Sequence, residues 1–330
     1  MVILRLAIPS DGELYEATLG FLRNSGVFIE RSSPRRYTAS IHGMPNTIVM
    51  FQRTGDIPLK VKEGSVDLGI TGLDRYLEMG VDVGESSLVV EDLGYSKCEL
   101  VVAVPDSWVD VTSVDDLVDL SITFRERGRE FRIATKYPNL VQRHFFNSGV
   151  NYFSMVESSG TLEAAPAMGF ADMIADISAS GTTLRENRLK MIIGGSILSS
   201  QACIVGNKTN ITKDEESLKD ARYLLEHIEG YIRSKEFFSI TSNIKTDSPA
   251  RTASQIREKP WISGLKGPTI AKVYTADDES WYSVTVVVPT HRLIEAVDSL
   301  RQAGGESITV GQPRYVFLGQ GQAYESWMRE

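Results

Sequence analysis

A short, largely apolar run that ends in a turn and opens a helix recurs along the first two thirds of the chain, and it restricts the fold more than any other feature. Ile3-Leu4-Arg5-Leu6-Ala7-Ile8-Pro9 predicts a buried strand, Ser10-Asp11-Gly12 a turn, and Glu13 to Asn24 a helix stopped by Gly26. Thr47 to Phe51 predicts another strand. The turn Gly55-Asp56-Ile57-Pro58 and a short helix to Glu63 follow, and then Val66 to Ile70 forms a strand ending at Thr71-Gly72. Strands this apolar, alternating with helices, indicate a mainly parallel sheet covered on both faces.

Around Leu93 to Tyr95 the pattern changes register, and the strand Cys98 to Val104 opens a second α/β unit. That unit is expected to hold the strand Arg132–Thr135, a helix from Leu140 to Ser148, a helix starting near Leu162 and the strand Met173–Ile177. The chain then returns to the first unit through Lys190–Asn207. Two lobes crossed twice leave a cleft between them, and ligands of such sheets sit beyond the carboxyl ends of the strands. The chain of 330 residues exceeds the roughly 250–300 at which single cores stop growing. The expected division is 1–94 with 190–210 as the first lobe, 95–189 as the second, 211–244 as a linker helix and 245–330 as a small α+β module. The linker is legible in Leu218, Ala221, Leu225, Ile228 and Ile232, which recur at helical spacing. The module is read from the strands Ala271–Tyr274, Trp281–Val288 and Ser307–Val310, the turn Asp277-Asp278-Glu279 and the helix Arg292–Ala303.

A net charge of −8 argues against a surface built for nucleic-acid phosphates, so a phosphate site must be local. Cys98 and Cys203 have no metal or disulfide spacing and are expected to be buried free thiols. His42, His144, His227 and His291 are scattered, without ligand spacing. No apolar stretch approaches the ~18 residues of a membrane span, and no basic region, apolar core and cleavage site open the chain. A cytoplasmic location without membrane partners is the expectation. The Arg-rich run 125–132 is read as a solvated, self-neutralising loop, and Trp261, Trp281 and Trp327 as core or interface aromatics.

The chemistry concentrates in Glu163-Ala164-Ala165-Pro166-Ala167-Met168-Gly169-Phe170-Ala171-Asp172-Met173-Ile174-Ala175-Asp176-Ile177-Ser178-Ala179-Ser180-Gly181-Thr182-Thr183-Leu184. A strand ends here in a carboxylate followed by small and hydroxyl residues. Backbone N–H groups of such a loop converge on a phosphate, with Ser180, Thr182 and Thr183 adding hydroxyls. Asp176 is placed to accept from ribose hydroxyls or to hold magnesium through water. A plain helix cap is the competing reading of the same loop.

This run resembles the phosphoribosyl pyrophosphate motif of the ATP phosphoribosyltransferases, and the resemblance covers nearly the whole chain. Arg5-Leu6-Ala7-Ile8-Pro9 with Gly12 and Leu14 is similar to the family's opening strand and turn. Arg53 with Asp56-Ile57-Pro58, Val66 to Gly72 with Asp74, Ala134 to Leu140, and Gly160 with Glu163 match further signatures in order. Gly267-Pro268-Thr269-Ile270 and Gly304 to Ile308 resemble the regulatory domain of the long form. The resemblance implies two periplasmic-binding-protein-like α/β lobes around a cleft, plus a C-terminal ferredoxin-like (ACT-like) α+β domain. It also implies condensation of ATP with phosphoribosyl pyrophosphate, magnesium as cofactor with no direct protein ligand assigned, inhibition by histidine, and a homo-oligomer between dimer and hexamer.

By the same resemblance, Asp176, Glu163 and Arg53 are the expected catalytic residues. Asp176, Ser178, Ala179, Ser180, Gly181, Thr182, Thr183 and Leu184 would bind phosphoribosyl pyrophosphate. Gly12, Arg53, Gly72, Asp74 and Tyr137 would bind ATP, and Thr269 and Ser307 would meet at a subunit interface to bind histidine. An ion pair between Arg53 and Asp74 is the alternative reading of those two residues. Asp11 departs from the family, which commonly has Lys or another residue suited to nucleotide phosphates there. Either another cation such as Arg53 takes over, or the nucleotide sits differently. A small-molecule sensor on a two-lobe solute-receptor fold is the competing function.

Overall fold

Leu4, Leu6, Ala7 and Ile8 are each at most 1% exposed, because their strand lies between two parallel neighbours and is covered on both faces. Burial of each large side chain of this kind is worth about 1.5–3 kcal/mol. The computed structural model describes residues 3–80, 86–157, 161–259, 262, 265–276, 279–319 and 321–329. Gly160, Trp261, Asp277 and Asp278, all named above, lie outside the described residues.

The first lobe contains β1 (Leu4–Pro9), α1 (Gly12–Asn24), β2 (Ile29–Glu30), β3 (Thr38–Ile41), β4 (Met44–Gln52), α2 (Ile57–Lys62), β5 (Leu68–Gly72), α3 (Leu73–Glu78) and β6 (Ser86–Val90). The second contains β7 (Cys98–Pro105), α4 (Val114–Glu126), β8 (Arg132–Thr135), α5 (Pro138–Asn147), β9 (Ser154–Glu157), β10 (Met173–Ser178), α6 (Thr182–Glu186) and β11 (Leu189–Ser200). The chain returns through β12 (Ala202–Asn207) and α7 (Lys208–Ile211) to the long α8 (Glu215–Ser234). Prolines start α2 and α5 where no backbone donor is needed, and Ser113 with Asp116 forms a capping box on α4.

The first sheet has the order β2-β3-β4-β1-β5-β12-β6, and the second β11-β7-β10-β8-β9. In each, a parallel core (β4-β1-β5 or β10-β8-β9) meets antiparallel strands at the side where the chain crosses. The loops that leave β1, β5, β8 and β10 at their carboxyl ends therefore fall on one side of each sheet.

The remaining elements are β13 (Phe237–Lys245), α9 (Pro249–Arg257), β14 (Thr269–Val273), β15 (Trp281–Pro289), α10 (Leu293–Gln302), β16 (Gly305–Gly311) and α11 (Gln322–Arg329). The antiparallel sheet β14-β15-β13-β16, with one helix after β13 and one after β15, has the ferredoxin-like βαββαβ arrangement. Its core joins Ile240, Ile244, Val284, Val286 and Val288 to Ile256 of α9 and Ala296 and Leu300 of α10. By contact density this second compact unit is Arg222–Glu325 with Asn24–Gly26.

Three sequence expectations are corrected. Residues 190–200 do not belong to the first lobe: β11 pairs antiparallel with β7 along its length, and Gly194-Gly195 sits at a bulge inside it. Residues 237–244 are not linker, since β13 pairs on both sides in the C-terminal sheet. Its alternation was masked because Ser242 shares the buried face with Ile240 and Ile244. The helix expected near Leu162 is a single 3-10 turn, Leu162–Ala164. Pro166 has no N–H to give Leu162, and Gly169 is left-handed at φ 72°. The Arg-rich run is likewise more than a solvated loop: Arg125 ends α4 and stacks over Tyr152, and Arg132 belongs to β8.

One interaction occurs twice. In the first lobe Arg5 donates through Nε and Nη2 to Asp67 and through Nη2 to the Gly64 carbonyl, while Asp67 also accepts from the Arg5 backbone N–H at 2.7 Å. In the second lobe Arg132 makes the same set to Asp172 and the Gly169 carbonyl, with the backbone bond at 2.8 Å. The segments share Arg-aliphatic-Ala and Gly-x-x-Asp spacing (Arg5-Leu6-Ala7 and Arg132-Ile133-Ala134; Gly64 to Asp67 and Gly169 to Asp172). Each clasp locks two parallel strands together at their amino ends, opposite the ligand loops. Gly64 and Gly169 both have positive φ, but a Cβ on Gly64 would meet Asn210 Nδ2 at 2.7 Å, whereas one on Gly169 meets nothing within 4 Å. Gly169→Ala should cost about 1 kcal/mol for backbone strain alone. Gly64→Ala should cost more in urea titration, and equal costs would contradict the packing difference.

Candidate active site

Asp74 opens α3 immediately after β5 and is 5% exposed. Its Oδ2 accepts from the Tyr137 hydroxyl at 2.6 Å, and its Oδ1 accepts from the Ser200 hydroxyl at 2.7 Å. Ser200 in turn accepts from the Asp74 backbone N–H. The ion partner of Asp74 is Arg75 at 3.6 Å, and Arg75 lies over the Tyr137 ring. Burial first, and then the charge of Asp74, push the Tyr137 phenol far above its ordinary range. Gly72 is obligatory here, because a Cβ would stand 2.3 Å from Asp74 Oδ1.

A second tie runs beside it. The Glu78 carboxylate accepts from the backbone N–H groups of Asn139 and Leu140 at 2.8 and 3.0 Å, capping α5 from across the cleft. Burial raises its pKa against the pull of those bonds. These contacts hold α3 of one lobe against α5 of the other. Asp74 and Tyr137 are thus committed to each other, and the ion pair that Arg53 might have formed with Asp74 is formed by Arg75.

Above this base lies a cleft of about 620 Å³. Its first wall is Asp11 to Leu14, Thr54, Gly72 and Arg75, and its second is Lys136, Tyr137, Ile177 and Ala179. The crossing segments supply Ser96, Lys97, Cys98 and Gln201. Gly12 is left-handed at φ 76° with open space around it. Burial raises the Cys98 thiol, and Cys203 is fully buried. Three cations, Arg75, Lys97 and Lys136, share the lining with the carboxylates Asp11, Glu13 and Asp74, and sequence reading assigned none of the three cations a role. Lys136 was legible inside the Ala134-to-Leu140 motif. Arg75 and Lys97 carried no signal that separates them from surface cations.

Asp176 is half-buried at the end of β10 and accepts from the Ile177 N–H at 2.8 Å. Burial is the main cause that raises its pKa; the field of Glu163 adds to this, and Lys136 and Arg75 oppose it. Asp176, Glu163 and Lys136 therefore share one electrostatic neighbourhood although Glu163 comes from the 3-10 turn, Asp176 from β10 and Lys136 from the end of β8. After Asp176 the loop turns on Gly181, left-handed at φ 70°. Ser178 Oγ accepts from the Gly181 N–H, and the Ser180 and Thr182 hydroxyls bond at 2.9 Å. Leu184 is buried and anchors the loop, while Ala179, Ser180, Thr182 and Thr183 are exposed. Arg185, absent from the sequence expectation, donates to Thr182 Oγ1 at 3.2 Å. Arg53 is exposed, forms no salt bridge among the described residues, and does not line the cleft, though its neighbour Thr54 does. Thr269 and Ser307 lie on the two outer strands of the C-terminal sheet, two strands apart, and do not meet within one chain.

The profile of the ATP phosphoribosyltransferase family matches residues 53–230, and that of the family's C-terminal domain matches residues 235–312. The chain belongs to the ATP phosphoribosyltransferase family. It has the long form, with the C-terminal domain. ATP phosphoribosyltransferase 2, chloroplastic, of Arabidopsis thaliana is 35% identical over 320 residues, covering 95% of this chain and 77% of its own. The ATP phosphoribosyltransferase of Nitrobacter hamburgensis is 33% identical, covering 95% and 94%. That of Mesorhizobium japonicum is 41% identical over 222 residues, 66% of this chain and 96% of its own. Among solved structures, the ATP phosphoribosyl transferase (HisG:HisZ) complex from Thermotoga maritima superposes with a TM-score of 0.53 at 29% identity, covering 69% of this chain and 98% of that one. Membership of the family sets aside the solute-receptor reading. No helix among the described residues is long and apolar enough to cross a membrane.

Tyr137→Phe leaves the buried Asp74 carboxylate one donor short, and should lower the unfolding free energy by roughly 1–3 kcal/mol. Urea denaturation checks this; an unchanged midpoint would remove the inter-lobe tie from the account.

Proposed function

We propose that this chain joins adenine N1 of ATP to the anomeric carbon of phosphoribosyl pyrophosphate and releases pyrophosphate, the first step of histidine biosynthesis. The observation that carries the reading is Asp176, raised by burial and by Glu163, standing at the strand end that runs into the hydroxyl-rich loop 178–183. The N1–C1 bond forms as the C1–O bond to pyrophosphate breaks, so positive charge develops on the ribose ring. Catalysis is then mainly positioning and electrostatics. In this reading Ser178 to Thr183 hold the 5-phosphate, with Arg185 beside them. Asp176 and Glu163 orient the ribose hydroxyls and offset the ring's charge. Arg75, Lys97 and Lys136 receive the polyphosphates, the role that Asp11 cannot fill, while Gly12 and Gly72 let the nucleotide approach the backbone. Arg53 serves from the rim.

Magnesium prefers phosphate oxygens, water and one or two carboxylates. Asp176 and Glu163 fit an ion arriving with pyrophosphate, whose charge it would neutralise, and among the described residues no larger ligand cluster gathers. The test is pyrophosphate release by the purified chain. Release should require ATP, phosphoribosyl pyrophosphate and magnesium together, and release from either substrate alone would overturn the reading.

Asp176→Asn separates function from stability. The folded chain holds the Asp176 proton more tightly than the unfolded chain does, so the ionised carboxylate costs stability at neutral pH, and the cost fades as pH falls through the folded value. The variant should lose about a hundredfold in kcat/KM yet melt higher at pH 7, with no difference near pH 3, roughly one unit below an ordinary carboxylate. A variant that kept full turnover would remove Asp176 from the mechanism.

Feedback is the second part of the proposal: histidine binds between copies of the chain where Thr269 of one meets Ser307 of another, and favours a less active hexamer in the cytoplasm. Support comes from Ser307, a non-glycine residue at φ 49° beside a strand bulge, where strain accompanies function. Thr269→Val with Ser307→Ala should raise the half-inhibiting histidine concentration about tenfold, or roughly 1.4 kcal/mol, at an unchanged uninhibited rate.

A further inference from the structure

The two clasps join the same groups but differ in what covers them. In the first lobe α7 fills the space: Asn210 Nδ2 donates to the Gly64 carbonyl at 2.6 Å, and Asn207 Nδ2 donates to that of Val61 at 2.8 Å. In the second lobe the corresponding space is a cavity of about 980 Å³. It lies at the amino ends of β8 and β10, on the far side of α6 from the loop 178–183, and Asn187 on its wall donates to the Thr183 carbonyl at 2.9 Å. It shares no lining residue with the reaction cleft.

Its charge is unusual for a chain of net charge −8. Arg129, Arg132 and Arg188 line it, against Asp106 and Asp172. The Asp172 carboxylate, 9% exposed, is shared by Arg132 at 3.2 Å and Arg129 at 3.6 Å, so one carboxylate answers two guanidinium groups. Arg188 enters no salt bridge among the described residues. At the edge the Lys190 ammonium spends a bond on the neutral carbonyl of Trp108, at 2.7 Å. Positive charge is thus left over on a wall that also carries Trp108 and Phe124.

Arg188 has a further peculiarity. It adopts φ 56°, a left-handed conformation that glycine takes freely and that costs a residue carrying a Cβ. Strain of this kind persists where a side chain has a task. Guanidinium forks pair bidentately with planar oxyanion edges, those of phosphate among them.

We propose that this cavity binds the phosphate group of a small phosphorylated ligand, held by Arg188 and Arg129, with the ligand's remainder against Trp108 and Phe124. The site stands independently of the reaction assigned to the cleft.

The test uses the full chain and inorganic phosphate as probe, by calorimetry at constant ionic strength. Thr182→Val with Thr183→Val first weakens phosphate binding at the 178–183 loop. In that background one phosphate should still bind. Adding Arg188→Gly should weaken it at least tenfold, and adding Arg129→Ala should do the same. Arg188→Gly alone should leave the Tm equal or higher, because glycine relaxes the backbone, which separates lost binding from lost folding. Turnover by Arg188→Gly without added phosphate should match the parent. No phosphate bound in the loop-silenced background, or affinity unchanged by both arginine substitutions, would overturn the proposal. Failure of the loop substitutions to remove any phosphate would count against the cleft assignment and not against this cavity.

Discussion

The Asp74 carboxylate is buried with two hydroxyl donors, from Tyr137 and Ser200, and the geometry of the cleft depends on that arrangement. A carboxylate removed from water without partners would cost several kcal/mol. Here the partners come from three places: Asp74 from the start of α3, Tyr137 from the start of α5, and Ser200 from the end of β11, where the chain crosses back. One side chain thus fixes the first lobe, the second lobe and the crossing relative to each other. Glu78 repeats the tie one turn further along α3 by capping α5. The walls that carry Arg75 and Lys136 are set by these buried bonds.

The two lobes solve the same problem twice. Parallel strands must be held in register at one end while the other end is kept free for loops. The Arg5–Asp67 and Arg132–Asp172 clasps close the amino ends, with backbone and side-chain bonds to one carboxylate. The carboxyl ends of β1, β5, β8 and β10 then carry Gly12, Gly72, Lys136 and Asp176 to the same side. Two clasped sheets, facing each other, produce a cleft lined by small residues and charges without requiring either lobe to be basic. A cleft with three cations in its lining thus fits an acidic chain.

Much of this was legible. The strands β1, β5, β7, β8 and β10 are short apolar runs bounded by glycine, proline or charge, and local pattern suffices for them. The loop from Asp176 to Leu184 was also legible, because strand, carboxylate, hydroxyls and glycine are adjacent in sequence. What was missed lies in side-chain contacts, most of them between distant segments and one, Arg185 to Thr182, within a helical turn. That Asp74 is also held by Ser200 and Tyr137, as a tie between the lobes, had no local signal. Arg185 looked like any helical cation until its guanidinium was found at Thr182. The strand β13 was hidden by the hydroxyls on its buried face, and β11 by a bulge that shifts its register.

The sequence by itself determined the class of fold, the order of its elements, the family and the loop that ends β10, since each depends on residues close together in the chain. Tertiary structure alone decided which charges share the cleft, which carboxylates are spent on holding the lobes, and which clasp is covered. Those outcomes depend on distances between residues 40 to 146 positions apart, and a Coulomb or hydrogen-bond energy is set by that distance and the local burial, neither of which the order of residues states.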